Sequence, residues 1–391
     1  MIPANTPSDP VKGANAERAR LSNRQAVLGR IQSAGQMGRA EIARALGLST
    51  QAVSNIIAEL ASDGLLVETG TRSKGRGLPA LQYGVNAKGG YALGVEVRPD
   101  AVFTALLDLQ GSTVDTRRRA LKTNEPDKVL AKVLKLRDKM LNHASVAPDL
   151  LLGAGVVMPG PFGQTGVSGL GSDLAGWQEI DAAAMFEQGL GLPVELGNDA
   201  NAAAMAERIG GAAQGLSHYA YLYFGAGLGL GLISQGRLVT GAFGNAGEIG
   251  HVPVSTPTGP APLESCLSRV SVQHHLAKAG PLDIVTLEAL YRRNDPDLQV
   301  WLDQAALALT QAMALIENLF DPQTVILGGA MPRPVLDHLV AQTKLPDLSV
   351  SNRPDAVLPR LQRGTCGRLT ATLGAASLIL NRAFTPHAAA L

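Results

Sequence analysis

The feature that most constrains the fold is the stretch of residues 196–204, LGNDANAAA. Residues 192–196 form an apolar run typical of a short buried strand, and residues 200–208 are rich in strong helix formers. Asn198 and Asp199 are therefore predicted to lie where a strand ends and a helix begins. Because ligands bind at such strand ends in open α/β sheets, the pair is a candidate ligand site. The alternative is that Asp199 only caps the helix or lies in a surface turn.

The distribution of charge separates the N-terminal part of the chain from the rest. The chain has 391 residues, enough for two or three domains, and a net charge of only +1. Residues 1–90 carry eleven Lys/Arg against six Asp/Glu, a net charge of +5, so the remaining residues carry −4. A basic end on a slightly acidic body is typical of a protein that binds a polyanion.

The cysteine content and the apolar stretches indicate the cellular compartment. Two cysteines, Cys266 and Cys366, are too few for a disulfide framework and indicate a reducing environment. The first thirty residues contain no apolar signal-peptide core, and the apolar stretches elsewhere are too short to span a bilayer. We therefore predict a cytoplasmic protein with no membrane partner.

The N-terminal region has the pattern of a DNA-binding domain. Residues 1–20 are polar with three prolines, which predicts a disordered tail. Residues 21–85 predict a winged helix-turn-helix: three short helices, then two strands joined by a basic, glycine-rich tip. The third helix offers short polar side chains to base edges, and the tip offers cations to phosphates. The alternative is a helical bundle for dimer contacts with a solvated basic loop. The predicted DNA-binding residues are Ser49, Thr50, Gln51, Ser54, Asn55, Arg72, Lys74 and Arg76.

The body of the protein is predicted to follow a flexible linker at residues 86–90 and to extend over residues 91–391. Apolar runs indicate strands, and longer amphipathic stretches indicate helices. The predicted strands lie at 91–96, 101–109, 113–118, 151–157, 219–225 and 324–327, and the predicted helices at 126–144, 182–190, 301–320 and 374–382.

Glycine occupies every other position in residues 225–231. In a strand this pattern places all four glycines on one face, where a ligand or another backbone can come close. Close packing of the strand explains the pattern as well as a ligand does.

A polar cluster is predicted to accompany Asn198 and Asp199. Glu248 and His251 lie three residues apart in a glycine-rich loop, and Glu264 follows. These side chains resemble a polyol pocket, because every sugar hydroxyl is both a donor and an acceptor. Taken singly, His251 is explained as well by a structural histidine, and Glu264 by a charge at a helix N-terminus.

Together the motifs resemble those of the ROK family of repressors, open reading frames and sugar kinases. The resemblance begins near residue 23 and implies an α/β actin-like (ribonuclease-H-like) domain of two lobes, with a cleft near residues 198–264, preceded by the winged helix-turn-helix. It also implies that Asp199 matches the base that the kinases use on the sugar hydroxyl, and that Asn198, Glu248, His251 and Glu264 match sugar-binding positions. The motifs that carry it are GLSTQAVSNIIAEL, MPGP, GWQEI, LGNDANAAA, FGAGLGLGL, NAGEIGH and DPQTVILGG.

Two segments depart from the family pattern. Where ROK kinases have an Asp followed by Gly-Gly-Thr that cradles ATP phosphates, this chain has Glu-Val-Arg-Pro-Asp at residues 96–100. Pro99 offers no N–H and Asp100 would repel a phosphate, so we predict that phosphoryl transfer is lost. Where the family usually has a three-cysteine zinc cluster, residues 255–264 read STPTGPAPLE. We therefore predict no structural zinc and no cofactor.

The leading hypothesis is a sugar-responsive repressor of carbohydrate-metabolism genes that is not an enzyme. Its partners would be a double-stranded DNA operator and a sugar or sugar derivative, and it would act as a homodimer or homotetramer. One alternative is an ATP-dependent sugar kinase with an appended DNA-binding domain. A further alternative is a DNA-binding protein whose body has lost ligand binding and serves only for assembly.

Overall fold

The computed structural model describes residues 14–72, 79–160, 174, 176–177, 180–277 and 282–385. The chain forms two compact units. Among the described residues, the smaller unit contains those up to Tyr91 together with Asp108–Ser112 and residues 379–385. The larger unit contains the described residues of Ala92–Leu107 and Thr113–Leu378. The sequence predicted one body from residue 91 to the C-terminus, so it did not anticipate that residues 108–112 and 379–385 belong with the smaller unit.

The smaller unit combines three helices with a three-stranded antiparallel sheet. The helices are α1 (Ala14–Ala34), α2 (Arg39–Leu46) and α3 (Thr50–Ser62), and the strands are β1 (Gln36–Gly38), β2 (Leu66–Arg72) and β3 (Ala80–Val85). The sheet order is β1-β3-β2. The predicted apolar face of α3 is buried, as expected for a helix of this periodicity. Helix α1 already begins at Ala14, so the prediction of a disordered tail was wrong for residues 14–20; residues 1–13 lie outside the described residues.

Residues 86–90, predicted to be a flexible linker, are held firmly within the smaller unit. The Asn86 side chain donates a hydrogen bond to the Gly64 carbonyl at 2.7 Å and accepts one from the Lys88 amide at 3.2 Å. It thereby caps a short 3-10 helix at Ala87–Gly89. A Cβ on Gly89 would collide with the Gly64 backbone. Gly89 therefore allows close backbone packing, and the prediction of a flexible linker was wrong.

The larger unit is built on two five-stranded sheets and a hairpin. Its strands are β4 (Tyr91–Val97), β5 (Ala101–Asp108), β6 (Thr113–Ala120), β7 (Leu151–Met158), β8 (Val194–Asn198), β9 (Tyr219–Phe224), β10 (Leu228–Ser234), β11 (Arg237–Leu238), β12 (Pro253–Thr256), β13 (Gly259–Pro262), β14 (Val325–Gly329) and β15 (Leu361–Arg363). The two large sheets have the orders β6-β5-β4-β7-β8 and β11-β10-β9-β14-β15, and β12 pairs with β13.

The helices that accompany these sheets include all four predicted ones. They are α4 (Pro126–Ala144), α5 (Ala182–Leu190), α6 (Asp199–Gly210), α7 (Arg269–His275), α8 (Ile284–Arg292), α9 (Pro296–Phe320), α10 (Arg333–Gln342) and α11 (Thr370–Phe384). The predicted strand-to-helix junction is confirmed, because β8 ends at Asn198 and α6 begins at Asp199. Among the described residues, no helix is both long enough and apolar enough to cross a membrane.

Strand β9 lies at the centre of the second sheet and is buried on both faces. Its sequence alternates Tyr219, Tyr221 and Tyr223 with smaller or apolar residues, and all six residues are buried. The tyrosines pack into one core cluster, which includes α6 residues, and the alternate residues pack into another, which includes α9 residues. Period-two alternation thus places one set of β9 side chains on each side of the sheet.

Two helices rich in small residues, α6 and α11, pack closely on the sheets and on each other. A Cβ on Gly94 of β4 or Gly155 of β7 would collide with the α11 backbone, and a Cβ on Gly374 of α11 would collide with the Ala202 carbonyl of α6. Because these positions have no side chain, the backbones can approach more closely than usual.

The four alternating glycines of residues 225–231 divide into two pairs with different surroundings. A Cβ on Gly229 would lie 2.6 Å from the Ala200 Cβ, so this glycine allows α6 to pack on β10. Gly231 faces α6 in the same way. Gly225 and Gly227 instead face the Asp199 and Glu264 carboxylates. Close packing therefore explains one pair, and proximity to a polar cluster explains the other.

We expect Gly231→Ala to lower the free energy of unfolding by about 1–3 kcal/mol, the usual cost of overpacking. The added methyl group would lie 2.5 Å from the Ala200 carbonyl oxygen and 2.6 Å from the Ala204 Cβ. Gly210→Ala is the matched control, because a Cβ there meets nothing within 4 Å. Denaturant unfolding followed by circular dichroism measures both. Equal stability of the two variants would contradict the packing of α6 on β10.

Candidate functional site

Asn198 and Asp199 have different roles at the junction between β8 and α6. The Asn198 side-chain oxygen accepts hydrogen bonds from the backbone amides of Ala200 and Asn201, at 2.9 and 3.1 Å, and therefore caps α6. One Asp199 carboxylate oxygen accepts a hydrogen bond from the Ala200 amide at 2.8 Å, whereas the other faces Gly225. The capping role proposed as an alternative for Asp199 is thus carried mainly by Asn198. One Asp199 oxygen takes no part in capping and faces Gly225.

The surroundings of Asp199 make its carboxylate unusually basic. Asp199 is half-buried, and the protein packed around its carboxylate desolvates it. This burial, reinforced by the negative charge of Glu96, raises the pKa of Asp199 to about 7. The Ala200 amide and the Arg98 guanidinium act in the opposite direction but do not cancel the effect. Asp199 is therefore poised to exchange a proton near neutral pH.

Glu248, His251 and Glu264 form the second half of the cluster. His251 lies between the two carboxylates: its Nε2 is 3.8 Å from Glu248 Oε2 and its Nδ1 is 3.8 Å from Glu264 Oε1. All three side chains are half-buried. Burial raises the pKa of Glu248, which His251 lowers and Glu264 raises further. At these separations the groups interact electrostatically but do not hydrogen-bond to one another, so they retain hydrogen-bonding capacity for a ligand.

Glycines bring the two halves of the cluster together. A Cβ on Gly160 would lie against the Glu248 carboxylate and 3.1 Å from Asn198 Nδ2. A Cβ on Gly227 would lie 2.5 Å from Glu264 Oε2. The charge of Glu248 also contributes to the raised pKa of Asp199. The structure thus brings all five predicted residues into one region, although whether they bind a sugar stays a prediction.

The end of β4 and the turn that follows it contain a charged network that the sequence did not assign to the site. The buried Glu96 carboxylate accepts hydrogen bonds from Arg98 Nε at 2.5 Å, from the Tyr223 hydroxyl at 3.0 Å and from the Thr372 hydroxyl at 2.6 Å. Burial alone would lower the pKa of Arg98, but the facing Glu96 carboxylate raises it above its ordinary value. Arg98 is therefore a fixed cation beside the Asp199 region.

The backbone of the same turn has few donors to offer a ligand. The Arg98 amide donates to the Ala101 carbonyl at 2.9 Å, and Pro99 has no N–H. The Asp100 carboxylate is exposed and lies 3.7 Å from Arg118. The sequence identified residues 96–100 as a departure from the kinase pattern, but it gave no signal that Glu96 would bind Tyr223 and Thr372, which are far away in the chain.

The region where the family usually has a zinc cluster consists of the hairpin β12–β13 and the short 3-10 helix Leu263–Ser265. Within the described ranges, no three His, Cys, Asp or Glu side chains are arranged to hold a metal ion. Cys266 is half-buried, and its sulfur lies 3.8 Å from the Ser265 hydroxyl. The prediction that no zinc is bound stays a prediction.

The smaller unit displays the candidate DNA-binding side chains on α3. Thr50, Gln51 and Asn55 are exposed, and Gln51 donates a hydrogen bond to Asn55 at 3.0 Å. Ser49 is also exposed, but its hydroxyl accepts from the Ala52 amide and caps α3. Ser54 is half-buried and therefore less exposed than these residues. Arg72 is exposed at the end of β2, and Lys74 and Arg76 lie outside the described residues.

Comparison with known proteins identifies the family. The ROK family model matches residues 92–382, and a winged helix-turn-helix DNA-binding model matches residues 20–67. The chain belongs to the ROK family. The family predicted from the motifs is thereby confirmed.

Individual relatives include regulators and a kinase. The chain is 31% identical over 317 residues to the xylose repressor of Caldicellulosiruptor bescii, covering 75% of this chain and 79% of that protein. It is 28% identical over 231 residues to a beta-glucoside kinase of Klebsiella pneumoniae, covering 56% and 75%. The crystal structure of a ROK family transcriptional regulator, a homologue of the Escherichia coli Mlc protein, matches with a TM-score of 0.73 and 22% identity over 94% of this chain and 97% of that one. The predicted fold, a winged helix-turn-helix followed by an actin-like domain, is confirmed.

We expect Asp199→Asn to change how the stability of this ROK protein depends on pH. With a pKa of about 7 in the folded protein and about 4 when unfolded, Asp199 binds more protons in the folded state between these values. Its contribution to stability is therefore present at acid pH and lost as pH rises towards 7. The free energy of unfolding of the variant, relative to the parent, should increase by more than about 1 kcal/mol between pH 5 and pH 8.

Denaturant unfolding at several pH values measures this difference. Asp127→Asn is the matched control, because Asp127 lies in the first turn of α4 and is exposed. If the free energies of unfolding of Asp199→Asn and the parent differ by the same amount at every pH, the Asp199 carboxylate is not desolvated.

Proposed function

We propose that this protein is a sugar-responsive, DNA-binding transcriptional repressor. The observation that carries the proposal is the convergence of an amide, an imidazole and three carboxylates, from Asn198 to Glu264, in a body joined to a winged helix-turn-helix. A relative named a xylose repressor, similar over most of both chains, supports the same function.

The cluster suits a sugar because its groups can accept or donate several hydrogen bonds in different directions. The carboxylates of Asp199 and Glu264 accept hydrogen bonds from ligand hydroxyls, the Asn198 amide nitrogen donates, and His251 does either according to its tautomer. Glycines beside these groups leave room for a ring to approach. In this proposal Asp199 is a binding residue, and no cofactor or metal takes part.

The smaller unit would read a double-stranded DNA operator. Helix α3 enters the major groove, with Thr50, Gln51 and Asn55 at base edges and Ser49 and Ser54 near the backbone. Arg72, with Lys74 and Arg76, would contact phosphates. Because helix-turn-helix proteins bind paired half-sites, the protein would act as a homodimer or homotetramer in the cytoplasm. The sugar would act through a difference in affinity for two states, one of which binds DNA more tightly.

A second candidate function, an ATP-dependent sugar kinase, is favoured by one observation. The pKa of Asp199, about 7, suits a general base that takes a proton from a sugar hydroxyl. The turn at residues 98–100 argues against it, because the Arg98 amide is already hydrogen-bonded and Pro99 has no donor. A phosphate cradle of backbone amides therefore does not form there in the way that the kinases use, and we place regulation ahead of catalysis.

We expect Asp199→Ala to abolish the response to sugar while leaving DNA binding intact. The purified protein selects its binding fragments from genomic DNA, and fluorescence anisotropy then measures affinity with and without each sugar of a hexose, pentose and amino-sugar panel. One sugar should change the affinity of the parent by roughly 5- to 150-fold, because it binds one state preferentially. Asp199→Ala should show no such change, and the exposed Asp127→Ala should behave as the parent.

Measurements on the parent and on Asp199→Ala also distinguish the candidate functions. An undiminished sugar response in Asp199→Ala would place the sugar elsewhere, and failure of the parent to bind any DNA fragment would exclude the repressor. ATP-dependent phosphorylation of a panel sugar at ordinary kinase rates, about 1–100 per second, would make the protein an enzyme instead.

A further inference from the structure

Strand β6 and helix α4 carry an excess of positive charge that the sugar cluster and the winged helix-turn-helix do not account for. Residues 113–144, which contain both elements, have nine Lys/Arg against four Asp/Glu, a net charge of +5. The rest of residues 91–391 therefore carries −9. The body of the protein thus has one strongly basic segment among acidic ones, which the small net charge of the whole chain hides.

Four lysines form a single row along α4. The row consists of Lys128, Lys132, Lys135 and Lys139, which are separated by four, three and four residues. This spacing places side chains on one face of a helix. Lys132 is half-buried and the other three lysines are exposed. At 1.5 Å per residue the row is about 16 Å long. Like charges at these spacings repel one another, so the row by itself makes the helix less stable.

Strand β6 adds an arginine beside this row. His143 follows Lys139 by one helical turn, and its Nδ1 lies 3.4 Å from the Asp115 carboxylate of β6. The end of the row is therefore next to β6. Because side chains alternate along a strand, Arg119 lies on the same face of β6 as Asp115, and it is exposed. Arg119 and the four lysines of the row are called the α4 basic surface.

Most cations of the α4 basic surface are not neutralised by the protein. Lys128 has a partner, the Glu125 carboxylate at 2.8 Å. Among the residues that the structure describes, the other four cations have no carboxylate within ion-pairing distance, and Asp138, which adjoins the row, pairs with Arg137 at 2.8 Å. A face that only meets water usually mixes charges of both signs. A row of one sign is instead typical of a surface that attracts a polyanion.

The exposed groups on α4 suit a nucleic-acid backbone better than a protein partner. Protein interfaces have an apolar core that is enriched in aromatic side chains and depleted in lysine. Within the described ranges, none of the exposed large hydrophobic side chains lies on α4. A DNA backbone needs only cations, and each strand presents one phosphate about every 3.4 Å along the axis. A row about 16 Å long therefore spans about five phosphates of one strand.

We propose that the α4 basic surface binds the phosphate backbone of double-stranded DNA, in addition to the contacts made by the winged helix-turn-helix. The inference rests on the DNA binding of the proposed function, which the winged helix-turn-helix match at residues 20–67 supports. Lysine suits this contact because its ammonium group is a compact point charge on a flexible stem. The surface adds affinity and salt dependence to DNA binding but no sequence specificity, since phosphates carry no sequence information.

Lysine acetylation followed by mass spectrometry tests the contact on the full-length protein. The probe is a random-sequence DNA duplex several helical turns long, at low salt. Bound DNA should slow the acetylation of Lys132, Lys135 and Lys139 several-fold, because amines paired with phosphates are shielded from the reagent. Lys344 is the internal control, since it is exposed in the larger unit but lies outside the surface, and it should react at an unchanged rate. Polyglutamate at the same concentration of charge should protect the three lysines less, because it does not engage the winged helix-turn-helix.

The triple variant Lys132→Gln/Lys135→Gln/Lys139→Gln measures what the surface contributes to binding. Fluorescence anisotropy with the same duplex gives the slope of log affinity against log salt concentration. This slope should become less steep by about two to three, roughly one for each phosphate contact that is lost. Glutamine is nearly as good a helix former as lysine, so the melting temperature should stay close to that of the parent.

A second triple variant controls for the loss of net charge. It removes three exposed cations of the larger unit that lie outside the surface, and its slope should match that of the parent. The control variant is Arg237→Gln/Arg333→Gln/Lys344→Gln.

Two results would overturn the inference and leave the proposed function standing. One is DNA binding by the parent without slower acetylation of the three lysines, and the other is an equal salt slope for the two triple variants. Equal protection by polyglutamate would also overturn it, because the surface would then fit an acidic protein as well as DNA. If the parent bound no DNA at all, the proposed repressor and this inference would both be wrong.

Discussion

The architecture of the larger unit depends on the close approach of α6 and α11. Gly374 allows the backbone of α11 to touch that of α6 at Ala202, Gly94 and Gly155 seat α11 on the first sheet, and Gly231 seats α6 on the second. Dispersion between atoms in close contact is individually small but large in sum, and it is lost if the backbones separate. Glycine and alanine at these positions therefore determine where both helices lie, and thereby where the side chains at their N-terminal ends point.

Those N-terminal ends carry the polar groups of the site. Asp199 is the first residue of α6, and Thr372, near the start of α11, donates to the buried Glu96 carboxylate. Carboxylates accumulate on one side of this region, where burial and their negative charges raise the pKa of Asp199. Arginines accumulate around a neighbouring cavity lined by Arg98, Arg118 and Arg269. Arg98, paired with Glu96, belongs to both.

The sequence predicted the features that arise from local patterns. LGNDANAAA placed Asn198 and Asp199 at a strand-to-helix junction, and the apolar periodicity of α3 was enough to identify its buried face. Features that depend on distant partners could not be predicted. Glu96 binds Tyr223 and Thr372 across 127 and 276 residues of chain. The arginines that line the neighbouring cavity also come from separate segments of the chain. The predicted linker was wrong because Gly89 allows a close backbone contact with Gly64, which composition alone does not distinguish from flexibility.

The central claim is that the polar cluster at the start of α6 is where this protein binds its sugar. Hydrogen–deuterium exchange by mass spectrometry tests it most directly, with and without the panel sugar that most raises the melting temperature. Bound sugar should slow exchange of the amides at residues 198–201 and 247–251, because the ligand excludes water there and stabilises the local structure. Protection confined to other segments, with these residues unchanged, would contradict the claim.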